Sequence, residues 1–165
     1  MEATSSKGEG DLAVADIRNI LVNLTPTRDW GRVAEFAVRH ARRLGARLYF
    51  VDVIYDPFGY SGWNLPMPSL EKEYQAIVGE ARDHLRAIMQ ARGNDGIVME
   101  SIVREGEPAA KITEVIEEKK IDLLVVPAHP EDKLESFLFE SVNRKLMRDM
   151  PCSIMMLKTL PEDLE

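Results

Sequence analysis

The feature that most constrains the fold is a regular alternation of short apolar runs with longer amphipathic stretches. Five runs, each of five to eight residues, are rich in apolar and β-branched side chains and are separated by helix-like segments. Continuous apolar runs of this length are typical of strands that are buried on both faces of a parallel sheet. We predict strands at residues 17–24, 48–54, 97–103, 122–126 and 152–157.

The segments between these runs have the three- and four-residue apolar spacing of helices, which we predict at residues 29–44, 70–92, 107–120 and 135–150. Gly45 and Gly93 follow the first two helices, and Pro151 follows the last. Ser69 suits an N-cap and Pro108 the first turn of a helix. The predicted buried faces are Val33, Phe36, Ala37, His40, Ala41 and Leu44 in the first helix, and Leu70, Tyr74, Ile77, Ala81, Leu85 and Ile88 in the second.

This order predicts a three-layer α/β/α domain with a five-stranded, mainly parallel sheet and helices on both faces. The 165 residues suit one domain, which we assign to residues 16–158. Residues 1–15, rich in Ser, Gly and Glu, are expected to be disordered, and residues 159–165 form an acidic tail. Ligands of such sheets bind outside the carboxyl ends of the strands. We therefore expect any site at residues 25–28, 54–59, 104–107 and 127–141.

The composition argues against several classes of protein. The net charge is −7, with Lys and Arg interleaved among acids, so we expect no nucleic-acid partner. No apolar run reaches the roughly 18 residues of a membrane span, and the N-terminus lacks the pattern of a secretory signal. The single cysteine, Cys152, forms no internal disulfide and belongs to no Cys/His cluster with metal-ligand spacing. We expect a cytoplasmic protein without a metal, in which Cys152 is a small buried residue.

An ordered set of short segments resembles the universal stress protein family, from about residue 17 to residue 158. The segments are Ile20-Leu21-Val22, Leu44-Gly45-Ala46, Arg104-Glu105-Gly106-Glu107-Pro108-Ala109, Asp122-Leu123-Leu124-Val125-Val126, and Ser141-Val142 followed by Pro151-Cys152. The resemblance implies a nucleotide-binding-like fold of the adenine nucleotide alpha hydrolase type. It also implies a homodimer through the last strands, and a family in which some members bind ATP and others do not.

The ATP-binding members of the family carry an Asp at the end of the first strand and the loop Gly-x-x-Gly-x(9)-Gly-Ser/Thr after the fourth. In this chain the acid falls on Thr25, and the three glycines fall on Pro127, Pro130 and Glu140. Only Ser141 fits the pattern. The resemblance therefore implies a member of the family whose phosphate loop is degenerate.

Each departure opposes phosphate binding for a physical reason. Proline has no N–H to donate and fixes φ near −65°, whereas loop glycines let backbone amides surround an anion. We expect Glu140 near the start of the last helix, where its carboxylate repels a phosphate by up to about 4 kcal/mol. We predict no ATP or AMP cofactor. If a nucleotide binds after all, the predicted contacts are Thr25, Thr27, Val53, Pro127, Ala128, His129, Pro130, Glu140, Ser141 and Val142.

No set of residues has the spacing of a catalytic site, so we predict that the chain is not an enzyme. His40 and His84 lie within helices, and His129 has no acid or nucleophile at useful spacing. Ser141 has no neighbouring base, as a nucleophile requires. Asp52 lacks the paired acids of a phosphoacceptor site. A hydrolase activity rests on fold analogy alone.

Two segments suggest contacts with proteins. The connection at residues 55–69 holds four aromatic side chains, which either cover the core or the dimer partner, or form a recognition surface. The last strand, from Ser153 to Leu157, is apolar on both faces, and pairing with a second copy would cover an edge that otherwise invites aggregation. We predict a homodimeric stress-response module that acts through unidentified protein partners, with an AMP- or ATP-binding switch as the alternative.

Overall fold

A computed structural model describes residues 16–24, 30–55, 68–92, 96–128 and 134–158. Within these residues, strands and helices alternate along the chain as the sequence predicts. The elements are β1 (Asn19–Asn23), α1 (Trp30–Leu44), β2 (Arg47–Ile54), α2 (Pro68–Arg92), β3 (Met99–Glu105), α3 (Pro108–Lys119), β4 (Leu123–Ala128), α4 (Leu134–Asp149) and β5 (Ser153–Lys158). None of the helices in this part of the chain is long and apolar enough to cross a membrane.

The five strands form one sheet in the order β3-β2-β1-β4-β5, and every neighbouring pair is parallel. From β1 the chain builds the sheet outward through β2 to β3, and then returns to add β4 and β5 on the other side. The strand order therefore reverses between β1 and β4, where Val22 lies opposite Val125. In open sheets of this kind the crevice beside such a reversal is the usual ligand site.

The sheet has a separate apolar core on each face, which explains the continuous apolar runs of β1 and β4. On one face Ile20 and Val22 pack with side chains of α1 and α2. On the other face Leu21 and Leu124 pack with side chains of α3 and α4. Alternate residues of a strand point to opposite faces of the sheet. A strand that is buried on both faces is therefore apolar at successive positions, without alternating polar residues. The predicted three-layer α/β/α architecture is confirmed.

The predicted inner faces of the first two helices need correction. In α2 Ile77 is 53% exposed, whereas its neighbour Val78 is 2% exposed and packs with Ile54. In α1 Leu44 is 50% exposed, and the buried set is Val33, Ala34, Ala37, Val38 and Ala41. Adjacent apolar residues satisfy helical spacing equally well from sequence alone, and only packing against the sheet selects between them.

Several boundaries also differ from the prediction. Helix α2 begins at Pro68 and already includes Ser69, so Ser69 is not its N-cap. Proline is favoured in a first helical turn because its missing N–H has no intrahelical partner there. Strand β4 continues through Pro127 to Ala128. The predicted tails at residues 1–15 and 159–165 lie outside the described residues, as does most of the aromatic connection after Tyr55.

Candidate functional site at the carboxyl edge of the sheet

The carboxyl ends of β1, β2 and β4 meet beside the reversal of strand order, where we expect any ligand. The N–H of Leu24, just after β1, donates to the carbonyl of Val51 at 2.9 Å and so fixes the chain leaving β1 against β2. The N–H of Gly106 donates to the carbonyl of Ile54 at 2.9 Å and does the same for the chain leaving β3. These two hydrogen bonds fix the position of the backbone in the described part of this edge.

Pro127 is buried in β4, opposite Leu157 of β5. The pairing of β4 with β1 reaches only Val125, so Pro127 stands beyond the end of that ladder, at the mouth of the crevice. Proline gives no N–H to a ladder, so its place in an inner strand fits the end of the pairing with β1. A strand residue without an N–H gives no donor where the family motif has a glycine.

Helix α4 begins at Leu134, which corrects the expectation that Glu140 lies near a helix start. Glu140 is the seventh residue of α4, about 9 Å along the axis from the first. The favourable field of a helix N-terminus falls off within the first turn, so Glu140 lies beyond its reach. Amides beyond the first turn bond to carbonyls four residues back, and those of Glu140 and Ser141 are therefore committed to the helix.

The other predicted contact residues divide into core positions and positions that the structure does not describe. Val53 is 2% exposed and Val142 is 8% exposed, and both pack in the core between the sheet and α3 and α4. Their side chains are core side chains, which leaves only backbone groups for a ligand. Ala128 ends β4 opposite Lys158. Thr25, Thr27, His129 and Pro130 lie outside the described residues, and the side chains of Glu140 and Ser141 are not described.

Sequence reasoning missed Asn23, the last residue of β1. It is 3% exposed and is the one buried polar side chain among the described residues. It lies opposite Val51 in the register of β1 with β2, at the edge where a ligand would enter. A polar residue that ends an otherwise apolar run was the available signal, but the family motif drew attention to Thr25 instead.

The N-terminus of α3, at the same edge of the sheet, already holds an anion from the chain itself. Glu107 is the N-cap, with φ −75° and ψ 121°, and its carboxylate accepts from the N–H groups of Ala109 at 3.3 Å and Ala110 at 2.8 Å. Partial burial alone opposes ionisation of Glu107, but bonds from Ala110, Lys145 and Ala109 outweigh it and hold the pKa of Glu107 below its usual value. This second helix terminus is therefore already satisfied by its own N-cap.

The described residues assemble no catalytic group at this edge. His40 lies on α1, its ring stacked on Phe36 at 3.8 Å, with Nδ1 2.8 Å from the Phe36 carbonyl. Cys152 is only half-buried, which corrects the expectation of a fully buried residue, and burial raises the pKa of its thiol. It precedes β5 and so lies at the opposite, amino edge of the sheet. Across the described ranges no three His, Cys, Asp or Glu side chains are grouped to hold a metal ion.

Comparison with known proteins gives a consistent result. The model of the universal stress protein family matches residues 16–158. A universal stress protein of Methanocaldococcus jannaschii is 26% identical over 130 residues, which cover 76% of this chain and 72% of that protein.

Two solved structures share the fold at lower identity. The universal stress protein UspA of Lactobacillus plantarum superposes with a TM-score of 0.71 at 22% identity, covering 87% of this chain and 99% of that one. A family protein of Arabidopsis thaliana with AMP bound superposes with a TM-score of 0.60 at 14% identity, covering 88% and 97%. The family match spans the whole sheet and its helices, and the chain therefore belongs to the universal stress protein family.

Proposed function

We propose that this stress-response protein is a homodimeric regulatory or protective module without catalytic activity and without bound ATP. The observation that carries the proposal is the start of α4 at Leu134, together with Pro127 in β4. An ATP site of the family type needs backbone amides around the phosphates. Here Pro127 has no amide N–H to give, and the amides at Glu140 and Ser141 lie inside a helix.

The expected loss of affinity is large. A hydrogen bond to a charged group contributes about 1.5–3 kcal/mol. Losing even two of these three donors from a triphosphate site costs about 3–6 kcal/mol, or roughly two to four orders of magnitude in affinity. A site that binds ATP in the micromolar range would therefore weaken to millimolar or beyond.

Titration of the purified chain with ATP and Mg²⁺, by calorimetry and by thermal unfolding, tests this directly. We expect no heat of binding and no shift of Tm at millimolar ATP. A bound ligand at 100 times its dissociation constant stabilises the native state by about 2.7 kcal/mol, so real binding would be visible as a clear upward shift. Such a shift, or ATP turnover by the purified protein, contradicts the proposal.

The second candidate function is a switch that binds AMP. It is favoured by the structural relative from Arabidopsis thaliana that has AMP bound. A monophosphate needs fewer amide donors than a triphosphate, so the loss of these donors weakens the binding of AMP less than the binding of ATP. The same titration with AMP separates the two candidates: binding of AMP without binding of ATP supports the switch, and binding of neither supports the module without a nucleotide.

Dimerisation through β5 is the other part of the proposal. Strand β5 pairs only with β4 and leaves its second edge open within the described chain. Ile154 packs against the core under α3 and α4, and Met156, two residues on, lies on the same face and is 46% exposed.

Helix α4 adds apolar surface beside this strand. In α4 Lys145 reaches Glu107 of α3, and Leu146 faces the sheet with 2% exposure. At 100° per residue Met147 then lies on the flank away from α3, beside β5, and it is 42% exposed. We call Met147, Ile154 and Met156 the β5 edge patch. An open strand edge beside an exposed apolar patch fits an isologous contact with a second copy.

A further inference from the structure

The opposite edge of the sheet carries a different surface, a cleft between α2 and β3. The cleft has a volume of about 380 Å³, and its apolar lining residues are Leu85, Met89 and Val103. Arg82 and Arg86 of α2 and Ser101 of β3 also line it. It is remote from the crevice between β1 and β4 because β3 and β1 are separated by β2.

The cleft runs along backbone groups that have no strand to pair with in the described chain. Strand β3 pairs only with β2, and the carbonyl of Val98 accepts from Leu48 in that ladder. Successive residues of a strand direct their N–H and C=O groups to opposite edges. The residues that direct these groups away from β2 are therefore Met99, Ser101, Val103 and Glu105.

Exposed charges on an edge strand commonly prevent it from pairing with another chain. The charged side chains of β3 are instead engaged by neighbouring helices. Glu100 pairs with Lys119 at 2.7 Å and Arg104 pairs with Glu118 at 2.8 Å, both toward α3. Glu105 accepts from the hydroxyl of Tyr74 at 2.7 Å, toward α2. Each of these charges contacts a neighbouring helix, and within the described part of the chain no strand covers the edge between the helices.

The two arginines make the surface cationic in a chain of net charge −7. Arg82 makes no ion pair with any of the described residues. Arg86 pairs with Asp83 one turn earlier on the same helix at 2.8 Å, with both side chains more than 60% exposed. Exposed pairs of this kind contribute little, so Arg86 can exchange Asp83 for a better-placed carboxylate.

We propose that the outer edge of β3 accepts an extended acidic segment of a partner protein as a sixth strand. In an added strand, alternate side chains point toward α2, about 6.6 Å apart. Arg82 and Arg86 are one helical turn apart, about 6 Å along the axis of α2. The spacing selects a partner with two acidic residues separated by one other residue, in which each carboxylate meets one guanidinium. The residues between them face Ile102 and the α3 side.

The charge pattern disfavours a second copy at this edge, because two β3 strands would bring two pairs of arginines together. A small acidic ligand would satisfy the arginines but would leave the strand edge unpaired. An extended acidic peptide satisfies both at once, as in other cases of strand addition. This inference deepens the proposed function as a regulatory module. It rests on that proposal in one respect, namely that the module has a protein partner.

The test uses a fluorescent eight-residue peptide that alternates glutamate with valine, with both ends blocked. Fluorescence anisotropy measures its affinity for the full chain. The double variant Arg82→Glu/Arg86→Glu is expected to weaken binding by about tenfold or more per arginine. The matched control is Arg39→Glu/Arg43→Glu, a pair with the same spacing on the exposed side of α1, which is expected to change the affinity less than about twofold. Circular dichroism verifies that both variants are folded.

Two further peptides separate strand addition from simple attraction of charges. Replacing glutamate with lysine should abolish binding. Methylating all the backbone amides of the glutamate-valine peptide should do the same in either strand direction, because a methylated amide cannot donate to a ladder. Amide hydrogen exchange should then show new protection at Met99, Ser101, Val103 and Glu105 only. Equal affinity of the two arginine double variants, binding of the methylated peptide, or no protection in this alternating pattern overturns the proposal. Protection of these amides in the free protein that rises with its concentration assigns the edge to a second copy instead, and also overturns it.

Discussion

Lys145 of α4 places its ammonium 3.2 Å from the carboxylate of Glu107, which caps the N-terminus of α3. The same carboxylate thus accepts from two backbone amides of α3 and from a side chain of α4. It joins the two helices that cover one face of the sheet, next to the carboxyl ends of the strands. Glu107 follows Gly106, whose N–H is fixed to β2, so the turn between β3 and α3 is held at both ends.

Replacing Glu107 with alanine should destabilise the protein by about 1 kcal/mol, the usual cost of losing an N-cap side chain. The loss should be larger than for Lys145→Ala, because the ion pair is about half exposed and exposed pairs contribute little. Urea unfolding followed by circular dichroism measures both. A suitable control is Glu114→Ala on the exposed side of α3, which removes an ion pair with Lys111 but no cap. Equal effects of the Glu107 and Glu114 substitutions would show that the cap contributes nothing.

The contribution of Glu107 should depend on pH in a definite direction. Its pKa is lower in the folded protein than in the unfolded chain, so the unfolded chain takes up a proton first as the pH falls. The stability difference between the native protein and Glu107→Gln should therefore be constant above the pKa of an unfolded glutamate, about 4.3, and shrink below it. Urea midpoints of both proteins between pH 7 and pH 3 measure this difference. A difference that grows toward low pH would contradict the assignment.

A pair of leucine substitutions tests the placement of the core. Leu124 in β4 is 0% exposed, whereas Leu44 at the end of α1 is 50% exposed. Leu124→Ala should cost about 2–5 kcal/mol because it leaves a cavity between the sheet and α3. Leu44→Ala, the same chemical change, should cost less than about 1 kcal/mol. Denaturant unfolding measures the loss of stability in both variants. A large loss for Leu44→Ala would contradict the exposed position of Leu44.

The element order could be predicted from sequence because strands buried on both faces are short, continuous and apolar. The inner face of α2 could not be fixed, because Ile77 and Val78 are adjacent apolar residues. Only the position of the helix over the edge of the sheet buries Val78 and exposes Ile77. Periodicity locates an amphipathic helix better than it fixes its rotation.

The candidate site shows a different limit. The family motif located the residues that replace the loop glycines, but it also carried over the family's expectation of a helix start near Glu140. The apolar spacing alone placed the helix at residues 135–150, close to the observed start at Leu134. The apolar spacing therefore predicted the start of α4, and with it the amides that lie inside the helix, better than the family motif did. Asn23 was missed because its one signal, a polar residue after an apolar run, also occurs wherever a strand simply ends.

Charge placed on the β5 edge patch should dissociate the proposed dimer. Met156→Glu combined with Met147→Glu sets like charges face to face across a two-fold axis, which costs several kcal/mol at an isologous contact. Sedimentation equilibrium should give a dimer for the native chain and a folded monomer for the double variant. The matched control is Val98→Glu, which alters a residue that is 66% exposed at the opposite edge of the sheet and should stay dimeric. A monomeric native chain, or a control that dissociates equally, contradicts this interface.

Restoring the family glycines should restore nucleotide binding only when the helix start moves as well. Pro127→Gly/Pro130→Gly returns two amide donors but leaves α4 intact through Glu140, and it should gain little affinity for ATP. Adding Glu140→Gly weakens the helix by about 1 kcal/mol at that position, which favours a later start and frees the amides that follow it. The triple variant should therefore bind ATP measurably tighter than the double variant, by about tenfold if one charged hydrogen bond is regained. Calorimetric titration of both with ATP and Mg²⁺ measures the difference, and equal affinities would show that the position of the helix start does not control the site.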